Sequence, residues 1–488
     1  MATLLQSTRT GRRAVVAALG GLALAGRQLR TAARGQRSLR FAFFGAASEQ
    51  RAYQQLVAAF EAAHPNVRVD VAALDSGDAS LDVNALMAHP NRPWLLRGGS
   101  YQSWLWKALA SPTAPDVFML SYQRFPAYAA RGILEPLGER LRASTAVREA
   151  DFYPAALDAF RSAEVAGDGL GAIPLNASSL AVYYNADLFA ARGVSLPEEG
   201  WTWDAFATAA EALTFGLDRE DRVGVHGLAI EPRLSRSAAY IWGAGGDLID
   251  HPVRPARLTL DSAEALEGLR RFAELGPAGR NVTPTSAQSR LFADLARFVS
   301  GRAAMFIHSR RVVPTLREAR GLNWDVAPLP LGAVPANVLH SDGLCLLAGA
   351  RDKDAAWAFI EFAAGPEGQA ALAATGRTVP SHREIAESDA FLRGTSFPWQ
   401  FGGQAIGLAP ERARVFLDNV PISRRIPAMA TLPAVEGIFD RAFKRAFYVD
   451  ADVPAAVAAI ARDVHGVLGD RLTAPSYMFR DGMTEIEE

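Results

Sequence analysis

The order of strand and helix signals across residues 39–71 limits this chain more than any other feature. Leu39 to Phe44 is apolar and β-prone. Ser48 stands where a helix N-cap is needed, and Glu49 falls in the first turn, where a carboxylate meets the positive end of the helix dipole. Tyr53, Leu56, Val57 and Phe60 recur at helical spacing. His64-Pro65-Asn66 stops the helix, and Val67-Arg68-Val69-Asp70-Val71 alternates as a strand does. Strand, helix, strand predicts a parallel βαβ unit, because parallel neighbours need a crossover between them.

The same alternation runs on. The patterns predict helices over Tyr101–Ala110, Trp203–Leu213 (capped by Thr202), Ser262–Leu275, Gln288–Ser300, Asp354–Ala364 and Pro454–Leu468. Strands are expected at Val117–Leu120, Ala172–Pro174, Leu180–Tyr184, Ala303–Ile307 and Leu344–Leu347. Gly167-Asp168-Gly169 reads as a turn, and Gly365-Pro366 as a helix end. The expected fold class is α/β, and 488 residues allow two lobes. Asp75 to Arg97 reads as an irregular insertion, and the residues after Asp470 as an acidic tail.

Compartment is written in the first residues. Arg12-Arg13 precede an apolar run from Ala14 to Ala25, which is shorter than the ~20 residues of a typical membrane span. Ala23-Leu24-Ala25 has the small-x-small form of a signal-peptidase site, so export to the periplasm is expected, with a retained membrane anchor as the alternative. The arginine pair partly matches a twin-arginine signal. The signal region carries no cysteine to lipidate, so a lipoprotein is not expected. The single cysteine, Cys345, leaves no intrachain disulfide to form. A formal net charge of -1 supplies no field for nucleic acid.

A search for catalytic constellations is negative. No two of the eight histidines stand at zinc-ligand spacing, and there is no G-x-S-x-G elbow and no P-loop. Gly167 to Gly171 leads into a strand, where a dinucleotide site needs a helix. Cys345 sits within the apolar run Gly343 to Leu347 and reads as an inert core thiol. No catalytic residue, cofactor or metal is expected. What stands out is a set of aromatic and planar polar residues near predicted strand ends: Tyr122-Gln123-Arg124, Asn176, Ser178, Tyr183-Tyr184-Asn185, Trp242 and Arg310-Arg311. Sugar rings present apolar faces and hydroxyl edges, so their sites combine these residue types.

Several segments resemble, in order, the family 1 extracellular solute-binding proteins of ABC importers, the maltose-binding class. They are Phe60 to Val69 (F-x-x-x-H-P-N-V-x-V), Ala114-Pro115-Asp116-Val117, Gly132 to Leu137, Tyr183 to Phe189 (Y-Y-N-x-D-L-F), Thr202 to Phe206, Gly301 to Met305, Ala355 to Phe362 and Pro366 to Gln369. The resemblance covers about Leu39 to Asp470. It implies a two-lobed type II binding-protein fold whose hinge the chain crosses three times, near Ala177, His340 and Thr378. The expected division is an export signal and linker at 1–37, a first lobe of 38–177 plus 341–377, a second lobe of 178–340 plus 378–475, and a tail at 476–488. It also implies a monomer that closes on a carbohydrate and delivers it to membrane permease subunits.

The resemblance carries ligand-binding roles to Ser48, Gln123, Arg124, Asn176, Ser178, Trp242, Gly243, Arg311 and Asp342. Five have a structural alternative: Ser48 as a helix cap, Gln123 and Arg124 as a solvated loop, Trp242 as core, Asp342 as a hinge or capping group. Two alanines precede Ser48 where the family is often polar. Ser178 and Arg311 stand where maltose-binding members carry a carboxylate and a stacking tryptophan, so an acidic or phosphorylated sugar enters consideration. The alternatives are a receptor for a polyamine, peptide or other polar solute, a sensor that passes its ligand to a signalling partner, and an exported hydrolase.

Overall fold

A computed structural model describes residues 37–45, 47–74, 101–217, 224–251, 257–291, 293–393, 410–427, 429 and 431–469. The expected export signal, the 75–97 insertion and the terminal tail lie outside the described residues, as does the side chain of Ser48.

Two sheets organise the chain. The first has the order β2 (Val67–Leu74), β1 (Arg37–Phe44), β3 (Val117–Ser121), β10 (Asp342–Leu346), β4 (Ala172–Pro174). β1 pairs in parallel with both β2 and β3, while β10 runs antiparallel to β3 and β4. Strand β10 therefore arrives from far along the sequence to complete a sheet begun by the βαβ unit. The helix Lys353–Ala364 covers this sheet and sets Phe359 4.8 Å from the ring of Phe41. Each fully buried side chain of this kind stabilises the fold by about 1.5–3 kcal/mol.

The second sheet has the order β6 (His226–Ala229), β7 (Ala303–Ser309), β5 (Leu180–Asn185), β8 (Trp324–Ala327). Strand β5 is buried along its whole length. Leu180, Val182 and Tyr184 enter one apolar core and Ala181 and Tyr183 enter another, so helices cover both faces. Asn185 ends the strand and caps the helix Ala186–Arg192, its Oδ1 accepting from the amides of Asp187 at 3.0 Å and Leu188 at 3.2 Å. The hydroxyl of Tyr183 donates to the carbonyl of Ser309 at 3.0 Å. The Tyr-Tyr-Asn segment thus builds the second lobe.

The expected single helix at Gln288–Ser300 is two, Ser286–Leu291 and Asp294–Val299, because Ala293 between them is extended (φ -64, ψ 153). Gly365-Pro366 ends one helix and also opens the next, Pro366–Ala373, where proline suits the first turn. The helices Leu234–Gly243 and Leu432–Arg445 and the short strands β6, β8, β9 (Asn337–Val338) and β11 (Ser423–Arg424) were not in the sequence reading.

Three segments link the sheets, and they hydrogen-bond to one another. Asn176 bridges to Pro380, and Ser178 to His340. The amide of Ala177 donates to Val379 O at 3.0 Å, and Ser381 Oγ donates to Pro174 O at 2.6 Å. Backbone pairing across these segments leaves few of their polar groups to solvent competition, which suits a hinge that bends without unravelling.

Candidate functional site

The groove between the sheets has a polar floor at the linking segments. Asn176 and Asp342 hold each other there. Asn176 Nδ2 donates to Asp342 Oδ2 at 3.2 Å, and the Asp342 amide donates to Asn176 Oδ1 at 3.1 Å. Ser341 Oγ donates to the Asn176 carbonyl at 2.6 Å, fixing the backbone beneath. Burial pushes the Asp342 carboxyl above the usual carboxylate range; Glu49 adds to this, and Arg311 and the Asn176 hydrogen bond oppose it. Asp342 and Arg311 are thus electrostatic neighbours.

Glu49, which the sequence reading placed only as a helix first-turn carboxylate, is buried at this floor and pairs with buried Arg377 at 2.6 Å. A Cβ on Gly45 would overlap the Glu49 carboxylate, so only glycine suits that position. Arg377 lies over three hundred residues further on, and no local pattern connects the two.

The second lobe contributes a basic wall. His340 is pushed down to about 3 by burial and by Arg236 and Arg311, and His308 is held well below the usual imidazole range chiefly by burial. Both rings are neutral at physiological pH. His340 Nε2 has no hydrogen-bond partner among the described residues. Further along, acidic groups gather. Burial pushes Asp294 up to about 7, Glu231 adding to the shift and Arg236, Arg233 and Arg297 opposing it. Burial likewise raises Glu436 to about 7, against the pull of Arg124.

The lobes also touch across the groove. Gln123 Nε2 donates to Glu436 Oε1 at 3.0 Å. The amide of Ile426 donates to the buried hydroxyl of Tyr122 at 3.3 Å, and Arg425 donates to the Asp158 carbonyl. Residues 425, 426 and 436 gave no sequence signal because their partners lie some three hundred positions away.

Of the candidate residues, Asn176, Arg311 and Asp342 come together at the floor, with Gln123 and Arg124 near Glu436. Ser178 is buried in the hinge, its Oγ accepting from the Val379 amide at 3.4 Å. Trp242 is 2% exposed. Its Nε1 donates to Asp247 Oδ1 at 3.3 Å, and the Arg424 guanidinium covers its ring at 4.9 Å. Gly243 packs against Trp203 and accepts from the Val334 amide at 3.0 Å. These last two belong to the packing of the helix Leu234–Gly243. Among the described residues no group of three or more His, Cys, Asp or Glu could hold a metal, and no helix is long and apolar enough to cross a membrane.

This architecture has close counterparts. A Listeria monocytogenes ABC substrate-binding protein in complex with cycloalternan superposes with a TM-score of 0.73 at 19% identity, covering 89% of this chain and 99% of that one. The GacH receptor of Streptomyces glaucescens, solved unliganded and with acarbose, gives 0.66 at 21% identity, covering 89% and 99%. A Brucella abortus protein named only as a binding protein is 23% identical over 288 residues, 58% of this chain. The chain spans 66% of that relative's length. The family model for bacterial extracellular solute-binding proteins matches residues 46–370. With that match running over most of the sequence and the two-sheet fold around a polar groove, this chain belongs to the bacterial extracellular solute-binding proteins.

Proposed function

We propose that this protein is the substrate-binding component of an ABC importer, that it closes its two lobes on a carbohydrate, and that it hands the sugar to membrane permease subunits. The observation that carries this reading is the groove floor. A paired amide and carboxylate, Asn176 and Asp342, stand at the hinge where both lobes reach a ligand. A fixed carboxylate accepts, and a fixed amide both donates and accepts, which is what vicinal hydroxyls require. The ligands bound by the Listeria and Streptomyces proteins, cycloalternan and acarbose, support the same class.

In this reading the lobes are residues 38–177 with 341–377 and 178–340 with 378–475. Gln123, Arg124, Asn176, Arg311 and Asp342 contact the sugar, and Ser48 is a further ligand-binding residue. Ser178, Trp242 and Gly243 act through hinge and helix packing. The protein works as an exported periplasmic monomer that binds without turnover, and residues 1–37 direct export. Ligand preference must come from contacts made better in the closed state.

One observation favours a second reading within the same fold. Arg311 and Arg236 lie near His340, Arg236 and Glu231 near Asp294, and Arg124 near Glu436, so a charged polar solute is the runner-up. Titration calorimetry with neutral sugars, sugar acids and diamines separates the two. Heat only from diamines or peptides removes the carbohydrate assignment.

A further inference from the structure

A cavity of about 520 Å³ lies beside the third linking segment and shares no lining residue with the groove. Asp151 and Tyr153 of the first lobe form one side, and His382, Glu384, Glu387 and Asp418 line the rest. The Phe152–His382 bridge and the bond from the Tyr153 amide to Ser381 O at 3.2 Å tie its two sides together.

His382 is 4% exposed, and its Nδ1 has no hydrogen-bond partner among the described residues. An orphaned buried ring nitrogen carries an unrecovered desolvation cost, a loss that a bound donor would remove. Four carboxylates line the same space. Arg148 holds Asp151 at 2.8 Å and Arg414 holds Glu387 at 3.0 Å. Asp418 shares Arg414 at a longer 3.6 Å, and no ion pair holds Glu384 among the described residues. Arg383, also on the lining, is exposed to water. Tyr153, Leu417 and Pro421 add apolar surface.

Negative charge in excess, an unpartnered imidazole nitrogen and an apolar wall make one chemical demand. We propose that this cavity is a second binding site, separate from the groove, that takes a small aliphatic ammonium. The ammonium donates to His382 Nδ1 and to the Glu387 and Asp418 carboxylates, while its alkyl chain lies on Tyr153, Leu417 and Pro421. Two observations of proton affinity agree. Burial lowers that of His382, keeping the ring neutral, and burial raises that of Asp418, with Glu387 and Glu199 adding to the rise and Arg414 opposing it.

The test uses the full chain with 15N-labelled histidine, titrated with putrescine and, separately, with glutarate, a dianion of similar length. The His382 ring resonance should move saturably with putrescine and ignore glutarate. The midpoint should rise at least about tenfold in Glu387→Gln/Asp418→Asn, two exposed positions whose exchange leaves the core intact. Asp342→Asn, in the groove, should leave it unchanged. A His382 signal that ignores putrescine, follows glutarate as well, keeps its midpoint in the carboxamide variant, or loses its response in Asp342→Asn overturns the proposal.

Discussion

Asn176 and Asp342 bond to each other twice, side chain to side chain at 3.2 Å and backbone amide to side chain at 3.1 Å, although 166 positions separate them. The first stands in the segment leaving the first sheet and the second opens the strand that returns to it. Asn176→Ala should therefore weaken ligand binding at least tenfold. It should also lower stability by about 1–3 kcal/mol, since the Asp342 amide loses its acceptor. Calorimetry of binding and denaturant unfolding check both.

Arg377 and Glu49 form a buried pair at 2.6 Å. Arg377→Met leaves a buried carboxylate uncompensated and should cost about 3–5 kcal/mol. Adding Glu49→Gln should recover most of that loss. Chemical denaturation of the two variants measures the difference, and equal stability of single and double variants would refute the pairing.

Glu436 and His340 set opposite pH trends. The folded protein holds the Glu436 proton up to about pH 7, so it binds more protons than the unfolded chain between the ordinary glutamate range and 7. Stability from this group falls as pH rises through that window. His340, pushed down to about 3, stays neutral while the unfolded chain would charge. Stability from it falls as pH drops below about 6.5. Glu436→Gln should flatten the decline on the neutral side, and His340→Gln the decline on the acid side, in Tm measured from pH 4 to 8. Unchanged profiles would remove these assignments.

Arg311 is half-buried on the groove wall beside Asp342, His308 and His340. Arg311→Ala should weaken binding far more than it lowers Tm, because its packing is peripheral. Equal loss of both would mark it as structural. Trp242→Phe should do the reverse, lowering stability through lost core volume while the folded fraction keeps its affinity.

Much of the fold was legible locally. The βαβ opening, the Thr202 cap and the strand at Leu180 follow from short-range chemistry, periodicity and capping, and the structure reproduces them. The missed elements carry weaker local patterns. β9 and β11 are two residues each, and the helix Leu432–Arg445 takes its meaning from contacts with a sheet formed much earlier in the chain. The site divides the same way. Asn176 stood out as a polar residue near a predicted strand end and Asp342 came from the family resemblance, whereas Glu49, Arg377, Glu436 and His340 gain their environment only through pairings across the lobes. Trp242 shows the limit of residue type as a guide: an aromatic beside a glycine turn suits a sugar face, yet its ring is covered by Arg424.

The groove is proposed to bind a carbohydrate and to leave it intact. Titration calorimetry of the full chain against a panel of mono- and oligosaccharides, with the recovered sugar analysed by chromatography, tests it most directly. Saturable heat from at least one sugar is expected, with its loss in Asp342→Ala and an unchanged sugar at the end. Saturable heat only from amines or peptides, or appearance of a cleaved sugar, would contradict it.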